Sequence, residues 1–141
     1  MKKVLLSGLV AGIAMAVVGM VCNMLWQKLL PGLEVQYQAP LFRPWSDPLM
    51  SLIFVVPVLS GFVMASAWKA VGGKLCFCEH DVKDVTKNIL GFVGFFIVLS
   101  VLGMLMTYSC FPMSFLMLVT WCVSMVVEYL VGTWILAKMI K

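Results

Sequence analysis

Charged residues are confined to a few short segments of the chain, and long uncharged stretches separate these segments. Three such stretches, at residues 4–27, 48–68 and 88–127, are 24, 21 and 40 residues long. A helix needs about 20 apolar residues to cross a hydrocarbon core of ~30 Å. The first two stretches therefore predict one membrane span each, and the third is long enough for most of two.

A polar turn divides the third stretch. Residues 107–112 read Thr-Tyr-Ser-Cys-Phe-Pro, and a proline favours the start of a new helix. The apolar runs are continuous rather than alternating, which indicates helices and not barrel strands. We predict an all-α polytopic membrane protein, a four-transmembrane-helix bundle that forms one membrane domain over residues 1–141. Its predicted spans are residues 4–27, 48–70, 88–107 and 113–137.

Composition supports this class. Of the 141 residues, 63% are hydrophobic and 11% are charged, whereas soluble domains carry about 25% charged residues. This excludes a soluble enzyme, a disordered tail and a disulfide-stapled secreted module. The net charge of +4 does not indicate nucleic-acid binding, because no basic patch is interleaved with exposed aromatic residues. The expected partner is the lipid bilayer.

Lysine and arginine placement predicts the orientation. With both termini in the cytoplasm, eight of the ten basic residues lie inside and two, Lys28 and Arg43, lie outside. Basic residues concentrate on the cytoplasmic side of membrane proteins. We therefore expect a cell-membrane (inner-membrane) protein with an external loop at residues 31–47 and a cytoplasmic loop at 71–87. The Ala14–Met15–Ala16 sequence is similar to a signal-peptidase site, but the apolar run continues to Trp26, so we expect the first helix to be retained.

The external loop carries a recognisable motif. Residues 41–50 read Leu-Phe-Arg-Pro-Trp-Ser-Asp-Pro-Leu-Met and follow a Lys-Lys start and a glycine-rich first span. This pattern resembles a group of uncharacterised small prokaryotic four-helix membrane proteins, and the resemblance is best over the first half of the chain. It implies the same four-helix fold but no activity, because that group has none to carry over. Asp47 and Pro48 also read as the N-cap and first residue of the second span.

The cytoplasmic loop holds the only histidine of the chain. In an extended segment Cys76, Cys78 and His80 would share one face, and thiolate and imidazole are ligands of soft metals. Zinc sites, however, favour cysteines two to four residues apart and a second ligand pair elsewhere, which this chain lacks. We expect a reduced, solvated loop without metal or cofactor, and soft-metal handling by these three residues is the alternative.

Small residues form a stripe on the first helix. Gly8, Gly12 and Gly19 fall within about 40° of one another at 100° per residue, and the Gly8-x-x-x-Gly12 spacing lets helices approach closely. Gly61 lies on the corresponding packing face of the second span. The partner of the stripe is either another span, which we favour, or a second copy of the chain; a different membrane protein as partner also stays open.

Glu128 is the one acidic residue inside a predicted span. It precedes Lys138 by ten residues, which places it about 15 Å from the inner edge of the membrane. A charge at that depth costs roughly 2.5–3.5 kcal/mol, so we expect a protonated carboxyl group that faces the bundle interior. Its helix face holds Trp121, Ser124 and Gly132. Hydroxyls predicted at comparable depth, which could donate to it, are those of Ser124, Ser60 and Ser100.

Three classes of function remain. The first is a small proton- or cation-coupled carrier or channel centred on Glu128. The second is a non-catalytic subunit or assembly factor of a larger membrane complex. An enzyme is the least expected, because the sequence offers no Cys-x-x-Cys motif, no nucleophile–base pair and no histidine in a span. For Glu128 itself we favour a purely structural role, as a neutral acid that fixes helix packing, over a proton- or cation-coupled site.

Overall fold

Four long apolar helices make up most of the protein. The computed structural model describes residues 2–37, 42–43, 46–71 and 85–140. Within that part there is no strand, and each of the four long helices has the length and hydropathy needed to cross a membrane. The predicted all-α four-helix bundle is thus confirmed, and the chain is a multi-pass membrane protein. Its elements are α1 (Lys2–Leu29), α2 (Pro31–Tyr37), a 3₁₀ turn (Pro48–Ser51), α3 (Leu52–Val71), α4 (Val85–Cys110) and α5 (Phe115–Met139).

The helix ends follow local capping chemistry. Asp47 caps the 3₁₀ turn that leads into α3, and its carboxylate accepts a hydrogen bond from the Leu49 amide at 2.9 Å. At α5 the cap is Ser114, whose hydroxyl accepts from the Met117 amide at 3.2 Å. α5 therefore begins two residues later than the proline rule predicts, because a serine side chain can satisfy a free amide and Pro112 cannot.

The segment between α1 and α3 contains a short helix that the sequence pattern did not predict. Residues 31–47 were expected to form a loop, yet α2 forms before the first of the three prolines that follow Pro31. Pro31 itself occupies the first helical position, where the absence of an N–H costs nothing. Leu33 is 1% exposed and anchors α2 to the rest of the chain.

α1 and α5 lie at the centre of the bundle. α1 packs along both α3 and α5, whereas α4 packs along α5. α3 approaches α4 through the edge-to-face pair of Trp68 and Phe92, whose ring centroids lie 5.0 Å apart. Elsewhere α3, α4 and α5 border a cavity of about 240 Å³, lined by Val56, Leu59, Ser60, Val63, Met64, Phe96 and Tyr129.

Glycines bring α1 and α3 into backbone contact. A Cβ atom on Gly61 would meet the Gly8 carbonyl oxygen and would lie 2.6 Å from the amide nitrogen of Gly12. A Cβ on Gly12 would lie 2.6 Å from the Cα of Val58. Because ordinary contacts begin at about 3.4 Å, only glycine permits this approach. The Gly8–Gly12 stripe is thus occupied by another span of the same chain.

Large apolar side chains cover the outside of the bundle. On α4, for example, Leu102 is 60% exposed and Met106 is 71% exposed. In water such a surface would drive aggregation, whereas in a bilayer it contacts acyl chains of similar polarity. The exposed side chains therefore identify the lipid-facing surface.

Candidate functional site

Glu128 lies near the middle of α5, and its carboxyl group faces α1 at Gly19. A Cβ atom on Gly19 would lie 2.6 Å from Glu128 Oε1 and 3.1 Å from Cδ. The absence of a side chain on Gly19 therefore leaves a notch in the surface of α1, and the carboxyl group occupies it. Glu128 is partly buried there.

Two contacts bracket this notch along the α1–α5 interface. One turn of α5 towards α2, the Trp26 Nε1–H donates to the Ser124 hydroxyl at 2.9 Å. One turn in the other direction, the side chain of Met15 packs against Gly132, where a Cβ would lie 2.7 Å from the Met15 sulfur. Residues four apart on a helix share a face, so Ser124, Glu128 and Gly132 form one row that faces α1.

Glu128 has no polar partner in the described part of the chain. No hydrogen bond to its carboxyl group is formed there, and the one ion pair that the described residues make joins Arg43 to Asp47 at 2.8 Å. No lysine or arginine side chain among the described residues is paired with it either. A carboxyl group this deep in a bundle and without a partner needs a chemical or packing reason.

The hydroxyls considered as partners of Glu128 bond elsewhere. Ser124 accepts from Trp26 and donates to the Thr120 carbonyl oxygen at 2.9 Å. Ser100 is hydrogen-bonded to the Tyr129 hydroxyl at 2.8 Å, and Ser60 lines the cavity beside Tyr129. Tyr129 is rotated by about 100° around α5 from Glu128. Ser60 and Ser100 therefore lie on a different side of α5 from the carboxyl group.

The segment that follows α1 closes over the α2 end of the α1–α5 interface. The Trp121 Nε1–H donates to the Tyr37 hydroxyl at 2.6 Å, and the Ser114 hydroxyl donates to Gln36 Oε1 at 2.6 Å. The Phe42 ring lies 5.6 Å from that of Tyr37. Burial raises the pKa of Tyr37, and the hydrogen bond from Trp121 opposes this shift to a smaller extent.

Sequence reasoning missed these contacts between α2 and α5. The available signal was the position of Trp121 on the Glu128 face of α5, about two turns from the helix start at the same end of the bundle as the segment that carries Tyr37 and Phe42. Aromatic residues with a polar atom favour the membrane boundary, which predicts their depth but not which ring meets which.

Two buried side-chain oxygens lack partners. Thr133 is 0% exposed and its hydroxyl makes no hydrogen bond; Asn88 is 7% exposed and its Oδ1 accepts none, considering the part of the chain that the structure describes. Thr133 lies about 140° around α5 from Glu128. It therefore belongs to the other side of the helix and not to the Glu128 notch.

The candidate metal ligands Cys76, Cys78 and His80 lie outside the described residues, so soft-metal handling stays a prediction. Among the residues that are described, no three histidine, cysteine or acidic side chains come together in a way that could hold a metal ion. The cysteines described, Cys22, Cys110 and Cys122, are free thiols. Cys122 contacts the sulfur of Met104 at 3.4 Å, a contact between two soft, apolar side chains.

The candidate site thus consists of Glu128, its notch at Gly19 and the flanking Trp26–Ser124 pair. No family model matches the chain, and searches of the curated proteins and of the solved structures find no similar protein.

Proposed function

We propose that Glu128 is the proton-exchange site of a small membrane carrier. The observation that supports this is a partly buried carboxyl group, midway along a membrane helix, that has neither a hydrogen bond nor an ion pair among the described residues. Ionisable residues inside membrane helices are costly, and they are found mainly on proton and ion pathways.

The neighbours of Glu128 favour exchange over a purely structural role. Ser114, Trp121 and Ser124 lie on the same side of α5, and each has a hydrogen-bond partner on α1 or α2. A carboxyl group that served only to fix packing would be expected to pair in the same way, because an unpaired buried polar group costs about 1–3 kcal/mol. An unpaired carboxyl group is instead free to release or accept a proton.

A proton is the best-supported ion. Hard metal cations require about six oxygen ligands, and the described residues supply no cluster of three acidic, histidine or cysteine side chains. The notch at Gly19 holds the carboxyl group against helix backbone whose amides and carbonyls are engaged within α1. The proposed carrier therefore couples to protons rather than binding a cation at rest.

Reconstitution in liposomes tests this proposal. Vesicles that hold a pH-sensitive dye are given a potassium diffusion potential, and proton entry is followed for the wild type, Glu128→Gln and Ser100→Ala. Glutamine keeps the shape and hydrogen-bonding capacity of a neutral acid but cannot exchange a proton. We expect proton entry with the wild type and Ser100→Ala and the protein-free rate with Glu128→Gln. Equal rates for the wild type and Glu128→Gln would refute the proposal.

A second candidate function, a non-catalytic subunit of a membrane complex, has one observation in its favour. Among the described elements α4 packs along its length on α5, and it meets α3 through the Trp68–Phe92 ring pair. Gly94 and Gly103 on α4 have nothing within 4 Å of a would-be Cβ, so helix backbone is open to a further helix, from a second copy or from another protein. Purification in mild detergent distinguishes the two functions. Co-purification of a stoichiometric partner protein supports the subunit, whereas proton transport by the purified chain without any partner supports the carrier.

The orientation belongs to the same proposal. Placing both termini in the cytoplasm puts α2 and the Tyr37–Trp121 pair outside the cell membrane, as the eight-to-two lysine and arginine bias predicts. Glu128 then lies below an outer cap formed by α2.

A further inference from the structure

The α2 end of the α1–α5 interface contains successive polar layers. Starting from Glu128, the first is the Trp26–Ser124 hydrogen bond of 2.9 Å, and the second is the Trp121–Tyr37 hydrogen bond of 2.6 Å. The last is the bond from Ser114 to Gln36, also 2.6 Å. Each layer joins α5 to α1 or α2 through side chains.

The layers next to Glu128 at the opposite end of the same interface are apolar. The first layer below Glu128 is Met15 against Gly132. Beyond it Ala11 and Leu136, both 0% exposed, belong to the main hydrophobic core. Two buried hydroxyls at this end are not part of these contacts: Ser7 donates to the Lys3 carbonyl oxygen at 2.6 Å, and Thr133 lies about 140° around α5 from Glu128. The contacts themselves therefore offer a proton no polar side chain, whereas the α2 end provides one at each layer.

The hydrogen bonds of Ser124 determine whether the polar layers reach Glu128. Its hydroxyl proton is donated to the Thr120 carbonyl, and its oxygen accepts from Trp26. With both in place, no donor is directed at the carboxyl group one turn away. Side chains four residues apart on a helix are neighbours, so a Ser124 hydroxyl released by Trp26 can rotate to Glu128.

We propose, building on the proton-exchange function above, that Glu128 exchanges its proton with the α2 side and that the Trp26–Ser124 hydrogen bond is the gate. Trp26 is then a positioning residue: its indole does not exchange protons but holds Ser124 away from the carboxyl group. The structure shows this gate closed. Opening requires loss of the Trp26–Ser124 bond between α1 and α5, after which the Ser124 hydroxyl exchanges its bond to the Thr120 carbonyl for one to the carboxyl group.

Among the described side chains, no ionisable group competes for the role that the gate assigns to Ser124. Towards this end α1 carries Cys22 and Lys28, α2 carries Glu34 and Tyr37, and α5 carries Cys122 and Tyr129. Cys22, Lys28, Tyr37, Cys122 and Tyr129 make no hydrogen bond or ion pair to Glu128. Tyr37 and Tyr129 are instead bonded to Trp121 and Ser100, respectively.

Chemical labelling of Glu128 tests the gate without any measurement of flux. A water-soluble, membrane-impermeant carbodiimide is applied to intact cells or to inside-out membrane vesicles, and modification at Glu128 is quantified by mass spectrometry. Trp26→Phe keeps the ring packing and removes the donor. We expect labelling from the α2 side to rise about fivefold, the effect of losing one ordinary hydrogen bond, and labelling from the other side to stay low.

Two further variants complete the experiment. Trp134→Phe is the matched control, because Trp134 is 52% exposed on the outer surface of α5, and it should label like the wild type. Ser124→Ala removes the acceptor of the same hydrogen bond and should also raise labelling. A rise in both variants could not result from a folding defect specific to Trp26→Phe. If both gate variants label like the wild type, or label from the opposite side, the gate is refuted.

The gate and the proposed function fail separately. If proton entry were equal for the wild type and Glu128→Gln, the proposed carrier function would be refuted. An increase in the labelling of Trp26→Phe would still show that the Trp26–Ser124 bond controls access to Glu128. Conversely, unchanged labelling in Trp26→Phe alongside loss of proton entry in Glu128→Gln would retain the carrier and remove the gate.

Discussion

The backbone contact between α1 and α3 predicts that Gly61→Ala forces the two helices apart. The added Cβ would meet the Gly8 carbonyl oxygen and would lie 2.6 Å from the Gly12 nitrogen and 2.7 Å from the Gly12 Cα. These are backbone atoms, so no side chain can rotate away. Reaching an ordinary contact of about 3.4 Å with the Gly12 nitrogen alone requires the helices to separate locally by about 0.8 Å, and the Gly8 oxygen, which lies closer, requires more.

The size of the effect follows from that separation. A gap of 0.5–1 Å forfeits a quarter to a half of the attraction between contacting atoms, and overpacking substitutions cost about 1–3 kcal/mol. Replacing glycine by alanine within a helix stabilises the folded protein by about 0.5–1 kcal/mol, because alanine loses less backbone entropy on folding. We expect Gly61→Ala to lower the free energy of unfolding by about 2 kcal/mol.

Three glycines provide matched controls. Gly94→Ala and Gly103→Ala add a Cβ where nothing lies within 4 Å, so only the gain in helix propensity remains and stability should rise slightly. At Gly19 the added Cβ meets the end of the flexible Glu128 side chain. Gly19→Ala should therefore cost less than Gly61→Ala and should displace the carboxyl group.

Unfolding by SDS in mixed micelles, followed by tryptophan fluorescence, measures these differences. The predicted order of stability is Gly94→Ala and Gly103→Ala first, Gly19→Ala next and Gly61→Ala last. If Gly61→Ala were as stable as Gly94→Ala, α1 and α3 would not be in backbone contact and the packing argument would be wrong.

Three other expectations are open to direct measurement. A single cysteine introduced by Glu79→Cys into a chain without other cysteines should react with an impermeant maleimide in inside-out vesicles and not in intact cells; the reverse would invert the topology. Mass spectrometry of the purified chain should find residues 4–16, whereas a chain that begins at Val17 would mean that α1 is a cleaved signal peptide. Because burial raises the pKa of Tyr37 above its ordinary value of 10.0, its neutral form should persist up to that pH and be lost as pH rises through the raised pKa, while the Trp121 N–H can still donate to the phenolate. Absorbance titration should show a high-pH phenolate component that Tyr37→Phe removes, and its absence would contradict the burial of Tyr37.

The four-helix fold could be predicted because a bilayer imposes a simple rule on the sequence. Charges mark where the chain leaves the membrane, and uninterrupted apolar runs of about 20 residues mark where it crosses. The helix ends are less predictable, since they depend on capping by single side chains: Ser114, and not Pro112, begins α5. α2 was not predicted because seven residues carry little periodicity and depend on contacts made by Gln36 and Tyr37.

The row of residues beside Glu128 could also be predicted, because position around a helix follows from sequence number. Trp121, Ser124 and Gly132 were placed on the Glu128 face at 100° per residue. In the structure Ser124 meets Trp26 and Gly132 meets Met15, both on α1. Helical periodicity thus predicts which residues act together on one element.

The partner of each row could not be predicted, because four uniformly apolar helices carry no signal for their order around the bundle. Counting residues from the span ends predicted that Ser60 and Ser100 lie at the same membrane depth as Glu128. Both nevertheless lie on the Tyr129 side of α5. Depth restricts a side chain to a layer of the membrane, and a contact requires the direction within that layer as well. The glycines of α1 show why depth alone is insufficient: Gly8, Gly12 and Gly19 lie on one stripe, yet Gly8 and Gly12 meet α3 whereas Gly19 meets Glu128 on α5. One face of α1 thus contacts two different helices at two depths, and helical periodicity within α1 cannot say where one partner gives way to the other.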